Sequence, residues 1–262
     1  MTDLATTRSA LTECYDAIEG LCARMDDSLW QRRSLCPDWT ARGVVHHLAM
    51  MEHVMTGWLP DSHEELPPFD RVALFDQEMG MLDGEPFGDR VAAVFADRRS
   101  DLAALTAEDL ARPSWTPVGA KTFGRFLEIR VFDFWVHERD VTTPLGWRTH
   151  DTGARAEIAL AEVEGSLGYI VGKKIGLPTG SSIVFHLTGP LARDLSVVVD
   201  GRAKVVDHVG HPDVEVTTDT GTFMLLACGR ISPQDPIERG RITWTGNHEY
   251  GEKAARNLSF TI

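Results

Sequence analysis

Apolar residues in the first half of the chain recur at helical spacing. Over residues 3–31, Leu11, Cys14, Ala17, Ile18, Leu21 and Met25 keep to one face. Pro37 stops whatever precedes it, and Thr40 stands where an N-cap belongs, ahead of a helix running to about Trp58. Pro60, Pro67 and Pro68 enforce a loop, and residues 70–82 and 88–112 read as two more helical pieces parted by DGEPFGD. A last long helix spans roughly 122–142 and ends near Pro144 and Gly146. The second half changes period. Residues 152–173 are again helical, but after GLPTGSS the pattern alternates in IVFHLTG, LSVVVDG, AKVVDHV and VEVTTD, which predicts short strands. TGTFMLLACG reads as a helix with Gly229 at its C-cap, RITWTG as a strand, and 247–257 as a final amphipathic helix. The pattern predicts two domains, 1–148 and 149–262, the first a helical bundle and the second a small α+β unit.

Two of the predicted helices carry polar residues on their apolar faces. At about 100° per residue, Phe123, Phe126, Arg130, Asp133, Phe134, His137 and Val141 share one side of the helix over 122–142, with Asp140 at its flank. Glu128, Phe132, Trp135 and Arg139 point the other way. On the helix after Thr40, Val44, Leu48, Met51, Met55 and Trp58 define the apolar face, and His47 falls on it. His46 and His53 fall nearly opposite, so His46 is expected to see solvent. Residues four apart on a helix lie about 5–6 Å from one another, close enough to share an ion. His47, Asp133 and His137 therefore form a candidate site for zinc or another divalent first-row ion, with a coordination position left for water or substrate. The spacing equally admits a buried Asp133–His137 pair balanced by Arg130, with His47 a hydrogen-bonded core residue.

Composition narrows the function classes. The 262 residues include 26 basic and 39 acidic side chains, a net charge of −13, and no basic run. Nucleic acid and anionic membrane surfaces are thus unexpected partners. No leader and no apolar run of membrane-spanning length is visible, and a cytoplasmic location is expected. Cys14, Cys22, Cys36 and Cys228 form no metal-binding or redox spacing and are expected to be free thiols.

The segment SLWQRRSLCPDWTARGVVHHLAMMEHVMTGWL, with Cys36-Pro37, Trp39 and His47-Leu48, resembles the N-terminal signature of the mycothiol-dependent maleylpyruvate isomerase family. RVFDFWVHERDV, an acidic residue four before a histidine and then an aspartate, resembles that family's second signature. The resemblance implies a DinB-like four-helix bundle that holds a divalent metal, followed by a sterol-carrier-protein-like α/β domain. Carried over by motif, the ligands are His47, Asp133 and His137, though the family pattern has Glu where this chain has Asp133. It further implies an enzyme using mycothiol: the metal binds the thiol as thiolate, which attacks a small electrophile in isomerisation or S-transfer. Carboxylate substrates need cations. Arg130 is one candidate; Arg230, Arg239 and Arg241 of the C-terminal domain stand as others, Arg241 being carried into the expected site. Asp140 is either a hydrogen-bond acceptor that orients a ligand histidine, a partner of Arg139, or a cap on the chain's exit. Trp39 and Trp58 flank the His47 helix and are expected either to pack against it or to line the mouth of a pocket. The competing expectation is a carrier that holds an apolar ligand in the C-terminal domain, with the bundle as scaffold. The sequence leaves the oligomeric state open.

Overall fold

The computed structural model describes residues 2–261, which divide into an N-terminal unit ending at Thr149 and a C-terminal unit starting at His150. The N-terminal unit is built from α1 (Leu4–Cys22), α2 (Asp27–Trp30), α3 (Ala41–Met55), α4 (Val72–Gly80), α5 (Gly84–Ala104), the short strands β1 (Pro113–Ser114) and β2 (Lys121–Thr122), and α6 (Phe123–Thr142). Helices α1, α3, α5 and α6 form a bundle in which α1 and α3 each pack on both α5 and α6. The starts of these helices follow from capping side chains. Asp3, Thr40 and Thr122 accept hydrogen bonds from the amides of Thr6, Gly43 and Arg125, each worth about 1 kcal/mol.

The departures from the expected pattern have local causes. The helix predicted over 3–31 is broken after Cys22, because the Asp26 carboxylate takes the amides of Ser28 and Leu29 and starts α2 anew. α5 begins at Gly84, inside DGEPFGD, with Pro86 in the first turn, where its missing N–H leaves nothing unpaired. It ends at Ala104, well short of 112, where Asp109 caps the Thr106 turn instead. The buried side of α3 is also turned from the predicted one. It centres on Val44, Val45, Leu48, Ala49 and Glu52, with Met51 and His47 at its margin. His46 keeps about the same exposure as His47, 25% against 24%, with Nε2 3.0 Å from Asp76 of α4 and the ring near Phe75. α6 is buried on nearly every side from Phe134 to Thr142, including the Trp135 and Arg139 side.

The C-terminal unit has α7 (Ala154–Tyr169), extended by a π turn, then β3 (Ser182–Thr188), β4 (Arg193–Asp200), β5 (Arg202–Val206), β6 (Val214–Asp219), α8 (Thr220–Ala227), α9 (Gln234–Glu238), β7 (Ile242–Gly246) and α10 (His248–Arg256). The sheet order is β5-β4-β3-β6-β7, with β3 and β6 parallel and the other pairs antiparallel. Alternation places Ile183 and Phe185 of β3 in cross-strand rows with Val197 and Leu195 of β4 and Val214 and Val216 of β6. Phe223 of α8 covers this row, its ring 5.6 Å from that of Phe185. Gly229 has φ +66° and follows α8 as predicted, with the Arg230 amide reaching back to the Leu225 carbonyl. Close approaches require glycine at Gly251, where a Cβ would fall 2.2 Å from Trp244 Cδ1, and at Gly246, where it would fall 2.4 Å from the Asp213 carbonyl oxygen. No helix among the described residues is long and apolar enough to cross a membrane.

A candidate metal centre between α3 and α6

α6 carries a polar row, Arg130, Asp133, His137 and Asp140, spaced three and four residues apart so that each side chain reaches the next. Arg130 Nη1 donates to Asp133 Oδ2 at 2.7 Å. His137 Nε2 stands 3.4 Å from Asp133 Oδ1, and its Nδ1 bonds Asp140 Oδ2 at 2.8 Å. From α3, His47 brings its Nε2 to 3.6 Å from Asp133 Oδ2. The three groups singled out by helical phase thus lie together, with one donor atom of each within 4.8 Å of the others. Donors around a tetrahedral zinc, bound at 2.0–2.1 Å, are roughly 3.3 Å apart. The separations of 3.4 and 3.6 Å at Asp133 are near that value, though they are to different oxygens of the carboxylate.

The row is also tied together electrostatically. Asp140, fully buried, takes the Nδ1 side of His137 and leaves Nε2 to face Asp133 and His47. That is the arrangement in which a carboxylate can orient an imidazole. Burial opposes charge on Asp133, but the Arg130 guanidinium and His137 outweigh it and hold the carboxyl well below the usual carboxylate range. Burial likewise disfavours an imidazolium at His137, yet Asp133, together with hydrogen bonds to Asp133, Asp140 and Cys36, holds its pKa well above that of an ordinary histidine. The same contacts fit the buried Asp133–His137 pair balanced by Arg130 that the spacing also admits.

The turn before α3 closes one side of the group. The Leu35 amide bonds the Asp140 carbonyl at 2.9 Å, which pins the Cys36–Trp39 turn to the end of α6. Trp39 then lies against both imidazoles, its ring centroid 4.9 Å from His47 and 5.9 Å from His137. Trp58 packs apart from it, on Phe123 and Phe126. About a quarter of the His47 and Asp133 side chains remains exposed, 24% and 27%.

Two residues near the centre were not among the expected site residues. Cys36 was expected only as a free thiol, but its Sγ donates to Asp140 Oδ2 at 3.1 Å and lies 3.8 Å from His137 Nδ1. Its place in the signature beside Trp39 is the signal that points there. Glu52 is fully buried and accepts from Arg130 Nε at 3.0 Å, Arg98 Nε at 2.8 Å and Tyr15 OH at 2.7 Å. A glutamate one turn after Leu48, at the edge of an apolar face, is the trace it leaves in the sequence. Arg130 is thereby engaged by two carboxylates, although its buried Nη2 has no hydrogen-bond partner among the described residues. Arg241 belongs to the C-terminal unit, where its Nη2 bonds Thr222 Oγ1 and lies 3.2 Å from Asp219.

Residues 11–142 match the family model described as the mycothiol maleylpyruvate isomerase N-terminal domain. The chain belongs to the mycothiol maleylpyruvate isomerase family. Residues 157–248 match the C-terminal domain of the same enzyme family. Among solved structures, the mycothiol-dependent maleylpyruvate isomerase and a histidine-to-alanine mutant of it each align over 94% of this chain and 96% of their own. Both do so at 16% identity with a TM-score of 0.60, a likeness of fold. A sterol carrier protein-2 like-3 from Aedes aegypti aligns with 37% of this chain and 89% of its own, at 21% identity and a TM-score of 0.26. No curated protein matches the chain.

Proposed function

We propose that this member of the family is a metal-dependent, mycothiol-using enzyme that isomerises, or transfers the thiol to, a small electrophile. The observation that carries this reading is the convergence of His47 Nε2, His137 Nε2 and the Asp133 carboxylate, with Asp140 on the far nitrogen of His137. Two imidazoles and one carboxylate suit zinc among divalent ions and leave a position open for a ligand. A divalent ion held there would lower the pKa of a bound thiol and so supply a nucleophile at neutral pH.

The chain's own residues do the rest. Arg130 keeps Asp133 ionised and fixes one of its oxygens. Asp140 keeps the Nδ1 hydrogen of His137 on its own side. Trp39 shields the imidazoles from one direction and leaves the thiol's approach to the exposed side of His47 and Asp133. Arg241 is proposed as the cation for a substrate carboxylate, with a raised KM expected in Arg241→Ala.

Metal analysis of the purified full-length chain tests the reading. Near-stoichiometric divalent metal in the wild type, lost in His47→Ala and His137→Ala, is the expected result. Mycothiol should bind the metal-loaded protein far more tightly than the chelator-treated one. A wild type that takes up no zinc on reconstitution, or equal mycothiol binding with and without metal, overturns the proposal.

A further inference from the structure

An arginine beside a carboxylate normally grips it with two N–H groups, covering both oxygens. Arg130 does not. Its Nε is directed to Glu52 Oε1 at 3.0 Å, and only Nη1 reaches Asp133, at Oδ2 alone. Asp133 Oδ1 is left turned toward His137 Nε2, 3.4 Å away. The division of the fork is imposed from behind. Glu52 cannot move toward another partner, since Arg98 Nε and Tyr15 OH hold its second oxygen at 2.8 and 2.7 Å. Glu52 is 0% exposed and Arg130 5%, so water offers neither group an alternative. The charges follow the same layout: Glu52 lies between the two guanidiniums and compensates Arg130 on the side away from Asp133.

On the metal-site reading above, we infer that Glu52 is a positioning residue which, by holding Arg130 Nε, keeps one oxygen of Asp133 free for the cation. Two effects act in the same direction. Without the Glu52 charge, Arg130 can turn its fork onto both oxygens of Asp133 and compete directly with the ion. Its positive charge, then balanced only by Asp133, also raises the potential at the site, and a divalent ion responds twice as strongly as a proton.

The test measures metal binding directly in the full-length chain. Zinc affinity is read by chelator competition, and site geometry by the visible absorption of the cobalt(II)-substituted protein. Glu52→Gln is expected to weaken zinc by about 10–100-fold, the range for loss of a group that supports a ligand, and to shift the cobalt bands. Tyr15→Phe removes one bond to Glu52 but leaves Arg98 Nε on the same oxygen and Arg130 untouched; it is expected to lower stability while keeping wild-type affinity and spectrum. Wild-type zinc affinity and cobalt spectrum in Glu52→Gln overturn the inference, as does an equal loss in Tyr15→Phe, which would mark general loosening of the bundle. Should Glu52→Gln fail to fold, Arg130→Lys decides: lysine keeps the charge but cannot bridge the two carboxylates, and unchanged metal binding in it refutes the inference. A wild type that binds neither zinc nor cobalt sinks the metal-site proposal itself. That outcome is distinct from a wild type that binds and a variant that binds equally well.

Discussion

The Glu52 carboxylate joins all four bundle helices, accepting from Tyr15 on α1, Arg98 on α5 and Arg130 on α6 while itself on α3. Its replacement by glutamine, in chelator-treated protein, therefore has a predictable effect on stability. The variant leaves Arg98 and Arg130 buried without their shared counter-charge. Removing one partner from a buried ion pair costs about 3–5 kcal/mol. For a unit of this length about 1 kcal/mol moves Tm by 2–4 °C, so the expected fall is on the order of 10 °C. The effect carries a pH signature. Burial works against the Glu52 charge, but Arg130 and Arg98 outweigh it and hold the carboxyl below its ordinary value of 4.5. A depressed carboxyl pKa stabilises the fold above the unfolded value, and that stabilisation is lost as pH falls through the folded one. The gap between wild type and Glu52→Gln should be full at neutral pH and close only below pH 4.5. Urea unfolding followed by circular dichroism, repeated over a pH series, gives both numbers. A gap under about 1 kcal/mol at neutral pH, or one that does not narrow in acid, refutes the reasoning.

Three further outcomes are expected. Gly251→Ala should destabilise the C-terminal unit by about 1–3 kcal/mol in the same unfolding assay, because its Cβ falls 2.2 Å from Trp244 Cδ1 in a packed contact. Asp140→Asn should weaken zinc about 10–100-fold in chelator competition, since an amide in place of the carboxylate no longer fixes the Nδ1 hydrogen of His137; wild-type affinity would show that Asp140 does not orient the ligand. Cys22 should resist alkylation by iodoacetamide at neutral pH, because burial and then Glu19 push its thiol up to about 12; peptide mapping of the alkylated chain checks this.

The site was legible where its logic is local. Asp133 and His137 are one helical turn apart, so phase alone put them on a common face, and Pro37 with Thr40 located the start of the helix that carries His47. The strands of the second unit were legible for the same reason, since alternation is a local property and each run ends at a glycine, proline or aspartate. What was not legible depends on distant partners. The turned face of α3 is set by Glu52, and a glutamate can be buried there only because Tyr15, Arg98 and Arg130 arrive from three other helices. No window around residue 52 encodes that. Phase separated His46 from His47, yet the two are equally exposed, because α4 comes up beside His46 and the phase of one helix says nothing about a neighbour across a proline loop. The proximity of Cys36 to His137 needs the Leu35–Asp140 backbone bond, which spans the sequence from the first third of the bundle to its last helix.

The indole of Trp39, resting on both imidazoles and 36% exposed, gives the site an optical readout of its own. Paramagnetic cobalt or nickel in contact with those rings would quench its emission, whereas zinc would not. Occupancy of the site can thus be followed by titration in the unlabelled protein, against a Trp39→Phe background that subtracts the other tryptophans.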